Sequence, residues 1–139
     1  MRPYVRKAYY HETDQMGIIH HANYIHWMEE ARMDFMDQMG FGYGRMEEEG
    51  IISPVLSLSC EYKSMTRFGD EVEVTISVRR YTGVRMELGY EIRDRATGEL
   101  RLVASSSHCF LNREGKPVSL KRADPNCDAL FRRAMAEED

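Results

Sequence analysis

Residues 10–24 read YHETDQMGIIHHANY and place a polar turn between a short strand and a long helix. Upstream, the aromatic and β-branched segment Tyr4 to Tyr10 predicts a first strand. Downstream, apolar residues recur with a 3.6-residue period from about His21 to Met39, which predicts an amphipathic helix of about five turns. Asp14 therefore lies just before a helix N-terminus, where backbone N–H groups lack intrahelical partners. This arrangement suits a reaction in which the N–H groups polarise a carbonyl while the carboxylate activates water.

The predicted helix has two faces of different polarity. Its apolar face comprises Tyr24, Trp27, Met28, Ala31, Phe35 and Met39, and its polar face comprises His26, Glu30, Asp34 and Asp37. Gly40 suits the position just after the helix, where a left-handed conformation is common. We therefore expect one face of the helix to be buried.

After Gly50 the period changes from 3.6 to two, which is typical of strands with one buried face. The alternating segments are 56–62, 72–78 and 86–92. A longer strand follows from Leu100 to Leu111, and Thr97-Gly98 predicts the hairpin turn that leads into it. The sequence therefore predicts an α+β fold in which an antiparallel sheet wraps around one long helix. Asp124-Pro125 predicts a last short helix, whose AMAEED end we expect to fray.

Length and composition limit the classes of function. The 139 residues suffice for one domain, 1–139, and are too few for two ordinary ones. A net charge of −4 and a pI of about 5.8 argue against general nucleic-acid binding. Cys60, Cys109 and Cys127 lie far apart, as reduced cytoplasmic thiols do. The charged N-terminus and the lack of a long apolar run predict a cytoplasmic protein without a signal peptide or membrane span.

Three motifs in fixed order resemble a known family. They are D-x-x-G at Asp14–Gly17, H-x-N-Y at His21–Tyr24 and E-x-A-R at Glu29–Arg32. Together they are similar to the hotdog-fold acyl-CoA thioesterases of the 4-hydroxybenzoyl-CoA thioesterase type and their bacterial acyl-CoA thioester hydrolase relatives. The likeness continues through Tyr62–Val74 and reaches about Val118. Each motif alone is weak, but their order and spacing are specific.

The resemblance implies a fold, an activity and an assembly. The fold is the hotdog fold, a long central helix wrapped by an antiparallel sheet of about five strands. The activity is hydrolysis of an acyl-CoA. Asp14, which forms the D-x-x-G motif together with Gly17, acts as general base or nucleophile. The N–H of His21 polarises the thioester carbonyl. Family members are homodimers or homotetramers that bind coenzyme A across the subunit interface, as part of the substrate and without a separate cofactor.

The same residues have simpler interpretations. An Asp before a glycine turn is most often a turn former or helix cap. Tyr24 begins the apolar stripe, so a core role is at least as well supported as substrate contact. His20 and His21 have no third ligand at a helix-compatible spacing, so we expect no metal, and His21 shapes the pocket or positions water.

Other carboxylates and other functions stay open at this point. A second hotdog lineage uses a helix carboxylate, which makes Glu29 and Glu30 the reserve candidates to Asp14. A hotdog hydratase carries a His five residues after its Asp, where this chain has Ile19. A non-catalytic acyl-CoA binding module would fit the same pocket.

Coenzyme A phosphates require cations near the substrate pocket. From the basic residues near strand ends, we select Lys63, Arg67 and Arg85 as candidates for binding them. A solvated charged rim is the simpler interpretation of any one of these side chains.

Overall fold

The computed structural model describes residues 1–136, without the side chain of Tyr43, and confirms the α+β class. The elements in chain order are β1 (Tyr4–Lys7), a short 3₁₀ helix (Tyr10–Glu12), α1 (His21–Gln38), α2 (Tyr43–Glu48), β2 (Val55–Tyr62), β3 (Glu71–Tyr81), β4 (Arg85–Asp94), β5 (Leu100–Cys109), α3 (Leu120–Ala123) and α4 (Pro125–Ala136). No helix in this described part is long and apolar enough to cross a membrane.

The sheet has five strands in the order β1-β3-β4-β5-β2. Strand β1 pairs antiparallel with β3, with Tyr4 opposite Val74. The predicted antiparallel sheet of about five strands is thus confirmed. The short strand β1 and the eight-residue strand β2 form its two edges.

Helix α1 agrees closely with its sequence pattern. It begins at His21 as predicted and ends at Gln38, one residue early. Gly40 follows with φ +81°, the left-handed conformation that a glycine adopts at no steric cost. The buried residues of its predicted apolar face are Tyr24, Trp27, Met28, Ala31 and Phe35. This packing fixes the orientation of the helix start beside Asp14.

Strand β2 differs from its predicted burial. Alternation along the strand predicts one buried face, yet Leu56 is 45% and Leu58 39% exposed. The strand itself is present, so the prediction is wrong only in burial. As an edge strand, β2 has a neighbour on one side only, and a single chain leaves both of its faces accessible.

Element ends show smaller differences. Strand β1 ends at Lys7, three residues before the predicted Tyr10, because the 3₁₀ helix starts there. Strand β5 ends at Cys109 instead of Leu111. Helix α4 begins at Pro125, as the Asp-Pro signal predicts. The last three residues of the AMAEED end, 137–139, lie outside the described residues.

The described chain groups into two compact units. The first comprises 1–35, 60–76 and 90–104, and the second comprises 36–59, 77–89 and the chain from 105 onwards. The core of the first unit includes Ile19, Trp27, Val72, Tyr90, Ile92 and Leu102. The core of the second includes Phe41, Val78, Tyr81, Phe110, Leu120 and Phe131. The single domain 1–139 stays a prediction.

Candidate active site

Asp14 lies half-buried in a tight turn that its own hydrogen bonds hold. Its Oδ1 accepts the N–H of Met16 at 2.8 Å, and its carbonyl accepts the N–H of Gly17 at 3.1 Å. The N–H of Asp14 donates to the carbonyl of Ile18 at 2.9 Å. Gly17 has φ +77°, which a side chain would strain. The turn therefore fixes one carboxylate oxygen of Asp14. Its left-handed backbone conformation at position 17 also explains why a glycine follows three residues after Asp14.

The loop that carries Asp14 is anchored at its base. Thr13 and Ile19 form an antiparallel bridge across it. The N–H of Ile19 donates to the carbonyl of Thr66 at 2.9 Å, and Ile18 forms a bridge with Arg67. The loop is thus held against the segment that follows strand β2.

The start of α1 is capped by a histidine. The N–H of Ala22 donates to Nδ1 of His20 at 3.2 Å, and the N–H of Asn23 donates to the carbonyl of His20 at 2.9 Å. No acceptor for the N–H of His21 is found among residues 1–136. A helix leaves its first N–H groups without intrahelical partners, so this one can donate to a bound carbonyl oxygen. The His20 and His21 rings stack with centroids 4.3 Å apart.

Two tyrosines lie beside this helix start. The hydroxyl of the half-exposed Tyr62 donates to the carbonyl of His21 at 3.1 Å. Its ring meets that of the buried Tyr24 edge-on at 5.6 Å. The hydroxyl of Tyr24 accepts the N–H of Thr66 at 3.2 Å. Tyr24 therefore supports the site from the core, and Tyr62 is a neighbour that sequence reasoning missed because it belongs to another element.

Glu12 is a second residue that the sequence did not reveal. Only 4% of it is exposed, and its carboxylate accepts the N–H of Tyr9 and the indole N–H of Trp27, both at 2.9 Å. Arg6 donates to both oxygens, at 3.0 and 2.9 Å. Burial alone would raise the pKa of Glu12, but these hydrogen bonds and the Arg6 charge bring it below its ordinary value. Its distant partners leave no sequence signal.

The two reserve carboxylates of α1 differ in their surroundings. Glu30 accepts the hydroxyl of Tyr4 at 2.8 Å and Nε–H of Arg6 at 2.9 Å. Burial, followed by the Glu30 hydrogen bond, raises the pKa of Tyr4 to about 12. Glu29 is exposed. The contacts of Glu30 are those of a structural ion pair.

Lys63 and Arg67 lie together along an open groove of about 650 Å³. Its other lining residues are Ser64, Met65, Asp70, Glu99 and Arg101. Nζ of Lys63 lies 3.0 Å from a carboxylate oxygen of Glu61. The exposed Arg67 side chain forms no ion pair within residues 1–136. Arg67 is therefore the candidate whose charge is available to an anion.

Arg85 belongs to the second compact unit. It lines a pocket of about 280 Å³ together with Arg80, Thr82, Met86, Glu87 and Ser107.

Metal-ligating residues are not grouped in the part of the chain that the structure describes. No set of three or more His, Cys, Asp or Glu side chains there is arranged to hold an ion. Cys60, Cys109 and Cys127 are free thiols, of which Cys127 is buried.

Comparison with solved structures defines the class of fold. The chain superposes on a DHNA-CoA thioesterase from Staphylococcus aureus with a TM-score of 0.92 and 35% identity, over 99% of this chain and 92% of that one. It superposes on a hypothetical protein from Aquifex aeolicus with a TM-score of 0.81 and 31% identity, over 86% and 93% of the two chains. The hotdog fold implied by the motifs is confirmed.

Comparison with protein families gives the relationship directly. A model of the thioesterase-like superfamily matches residues 10–132, and the chain belongs to this family. A Bacillus subtilis protein named "Putative acyl-CoA thioesterase YneP" is 38% identical over 126 residues, 90% of this chain and 91% of that protein. The expected enzyme class, a thioester hydrolase, is thereby confirmed.

Proposed function

We propose that the protein hydrolyses an acyl-CoA to a free acid and coenzyme A. In this proposal Asp14 acts as general base or nucleophile, and the N–H of His21 polarises the thioester carbonyl. One observation carries the proposal: a short loop, anchored at both ends, presents a carboxylate and leads into a helix N–H without an acceptor among residues 1–136. Gly17 shapes that loop, and Tyr24 supports it from behind.

Thioester chemistry needs little more than these two groups. As a base, Asp14 takes a proton from water while the water oxygen bonds to the thioester carbon. The resulting oxyanion accepts a hydrogen bond from the helix N–H. The C–S bond then breaks, and the leaving thiolate takes the proton from Asp14. As a nucleophile, Asp14 would instead attack the thioester carbon and expel the thiolate, which gives a mixed anhydride that water then cleaves. Either route requires the ionised carboxylate.

We further propose how coenzyme A and the partner subunit are engaged. The exposed Arg67, followed by Lys63, is the candidate for a coenzyme A phosphate because both line one open groove. Coenzyme A enters as part of the substrate, and no cofactor is needed. The enzyme acts in the cytoplasm as a homodimer or homotetramer, without nucleic-acid or membrane partners.

Thiol release tests the proposed activity. We expect the protein to release free thiol from at least one member of a panel of short, medium, long and aromatic acyl-CoAs. The panel includes DHNA-CoA, the compound in the name of the Staphylococcus aureus relative. A free-thiol reagent follows the reaction, and free coenzyme A without acyl group gives the background. Measurable acyl-CoA binding with no thiol release from any substrate would favour the binding-module alternative.

Chelation tests the metal-free mechanism. Neither Asp14 nor the helix N–H requires an ion, so we expect activity to survive exhaustive treatment with EDTA. The purified protein should also carry substoichiometric zinc, iron and manganese by elemental analysis. Loss of activity that one particular ion restores would contradict this mechanism.

A further inference from the structure

The buried carboxylate of Glu12 connects three elements of the first unit. It accepts four hydrogen bonds, from Arg6 on β1, from the backbone of Tyr9 and from the indole of Trp27 on α1. The Arg6 guanidinium also lies over the ring of Tyr9, 4.6 Å from its centroid. Charge-assisted hydrogen bonds of this kind are about twice as strong as neutral ones. Each oxygen of the Glu12 carboxylate already accepts two hydrogen bonds, so we assign it no role as an acid or base.

The backbone of Glu12 adds two contacts that reach the start of α1. Its carbonyl accepts the N–H of His20 at 2.9 Å and the side-chain amide of Asn23 at 2.9 Å. Asp14 follows two residues later. Glu12 thus bonds the first turns of α1 on one side and continues directly into the Asp14 turn on the other.

We propose that Glu12 is a positioning residue, which sets the placement of the Asp14 carboxylate relative to the His21 N–H. The inference rests on the proposed function, because it concerns the relative placement of the Asp14 carboxylate and the His21 N–H, the two groups that the proposed reaction uses. Misplacement of a catalytic group by about 1 Å can cost about a hundredfold in rate. A residue that controls this placement should affect turnover more than substrate binding.

The principal variant is Glu12→Gln, which keeps the size of the side chain. Arg6, Tyr9 and Trp27 all donate to the carboxylate, and the NH₂ group of an amide is itself a donor. At least one of their hydrogen bonds is therefore lost in the variant. We expect kcat for thiol release to fall at least about tenfold, with KM changed less than about threefold. Asp128→Asn is the matched control, because it makes the same change at a buried carboxylate of the second unit, which accepts hydrogen bonds from Tyr81 and Arg132. We expect this control to keep kcat within about twofold of the parent.

A double-mutant cycle separates positioning from general loss of structure. If Glu12 acts through Asp14, Glu12→Gln should cost little further activity in an Asp14→Asn background. A merely structural effect would lower the residual activity of that background by the same factor as in the parent. Equal factors in the two backgrounds would overturn the proposal, as would unchanged kcat in Glu12→Gln.

A milder variant covers the case in which Glu12→Gln fails to fold. Trp27→Phe removes one donor to Glu12 and keeps an aromatic ring in the core. We expect kcat to fall about fivefold, the rate equivalent of one ordinary hydrogen bond, and only when Asp14 is present. An equal loss in both backgrounds would overturn the proposal. A parent enzyme that releases no thiol would instead refute the proposed function, so the two failures are distinguishable.

Discussion

The Asp14→Asn variant should fold normally and turn over at least about a hundredfold more slowly than the parent enzyme. An asparagine retains the Oδ1 that accepts the N–H of Met16, so the turn can keep its shape. The substitution removes the negative charge and the basicity, which both proposed chemical routes require. Steady-state thiol release gives the turnover, and thermal melting together with acyl-CoA binding reports the fold and the pocket.

The matched control is Asp37→Asn, which makes the same chemical change at an exposed position of α1. We expect its turnover and its melting temperature to remain near those of the parent. Near-native turnover of Asp14→Asn would assign Asp14 to a turn-forming role alone. Glu29 and Glu30 would then be the next carboxylates to substitute.

The second large effect is expected at the exposed edge strand β2. We expect the parent protein to have a solution mass of at least twice the 16.2 kDa of one chain, measured by light scattering at micromolar concentration. Leu56 and Leu58 form an exposed apolar surface on this strand, and an uncovered edge invites pairing with a second copy. Burying one carboxylate without a partner costs several kcal/mol, so Leu58→Glu should weaken assembly at least about a hundredfold.

Ser59→Glu provides the control, because the neighbouring side chain points to the opposite face of the same strand. It introduces the same charge and should leave the assembly intact. We expect Leu58→Glu to lose thioester hydrolysis together with its partner, since the family resemblance implies that coenzyme A binds across the subunit interface. A parent protein that is strictly monomeric would contradict the shared site. A Leu58→Glu variant that stays assembled would place the interface elsewhere.

Local patterns accounted for the elements around the site. The 3.6-residue period located α1 to within one residue, because its apolar stripe is long and uninterrupted. The glycine three residues after Asp14 predicted a turn, and Gly17 does adopt the left-handed conformation. These features depend on residues close together in the chain, which periodicity and turn chemistry describe well.

Features that depend on distant residues escaped the same reasoning. The burial of Leu56 and Leu58 was predicted wrongly, since alternation gives the two faces of a strand and not what covers them. Glu12 went unnoticed because its donors come from Arg6 and Trp27, six residues before and fifteen after it. A charged residue in a polar turn normally faces solvent, and only the folded chain shows this one enclosed.

Selection among surface cations was likewise beyond the sequence. Lys63, Arg67 and Arg85 all lie near strand ends, and no period distinguishes one from another. The folded chain pairs Lys63 with Glu61 and leaves Arg67 without an ion pair in residues 1–136. The roles of all three toward coenzyme A stay predictions.

The anchored turn around Asp14 also bears on the entropy of substrate binding. Its bridge between Thr13 and Ile19 and its bond from the N–H of Met16 are made entirely by groups of this chain. A floppy loop would have to become ordered in each binding event, at about 1–2 kcal/mol of conformational entropy per residue. Here that ordering belongs to folding, so the free energy of substrate contacts remains available for affinity and catalysis. The chain's own bridge and hydrogen bond thus preorganise the turn that carries Asp14.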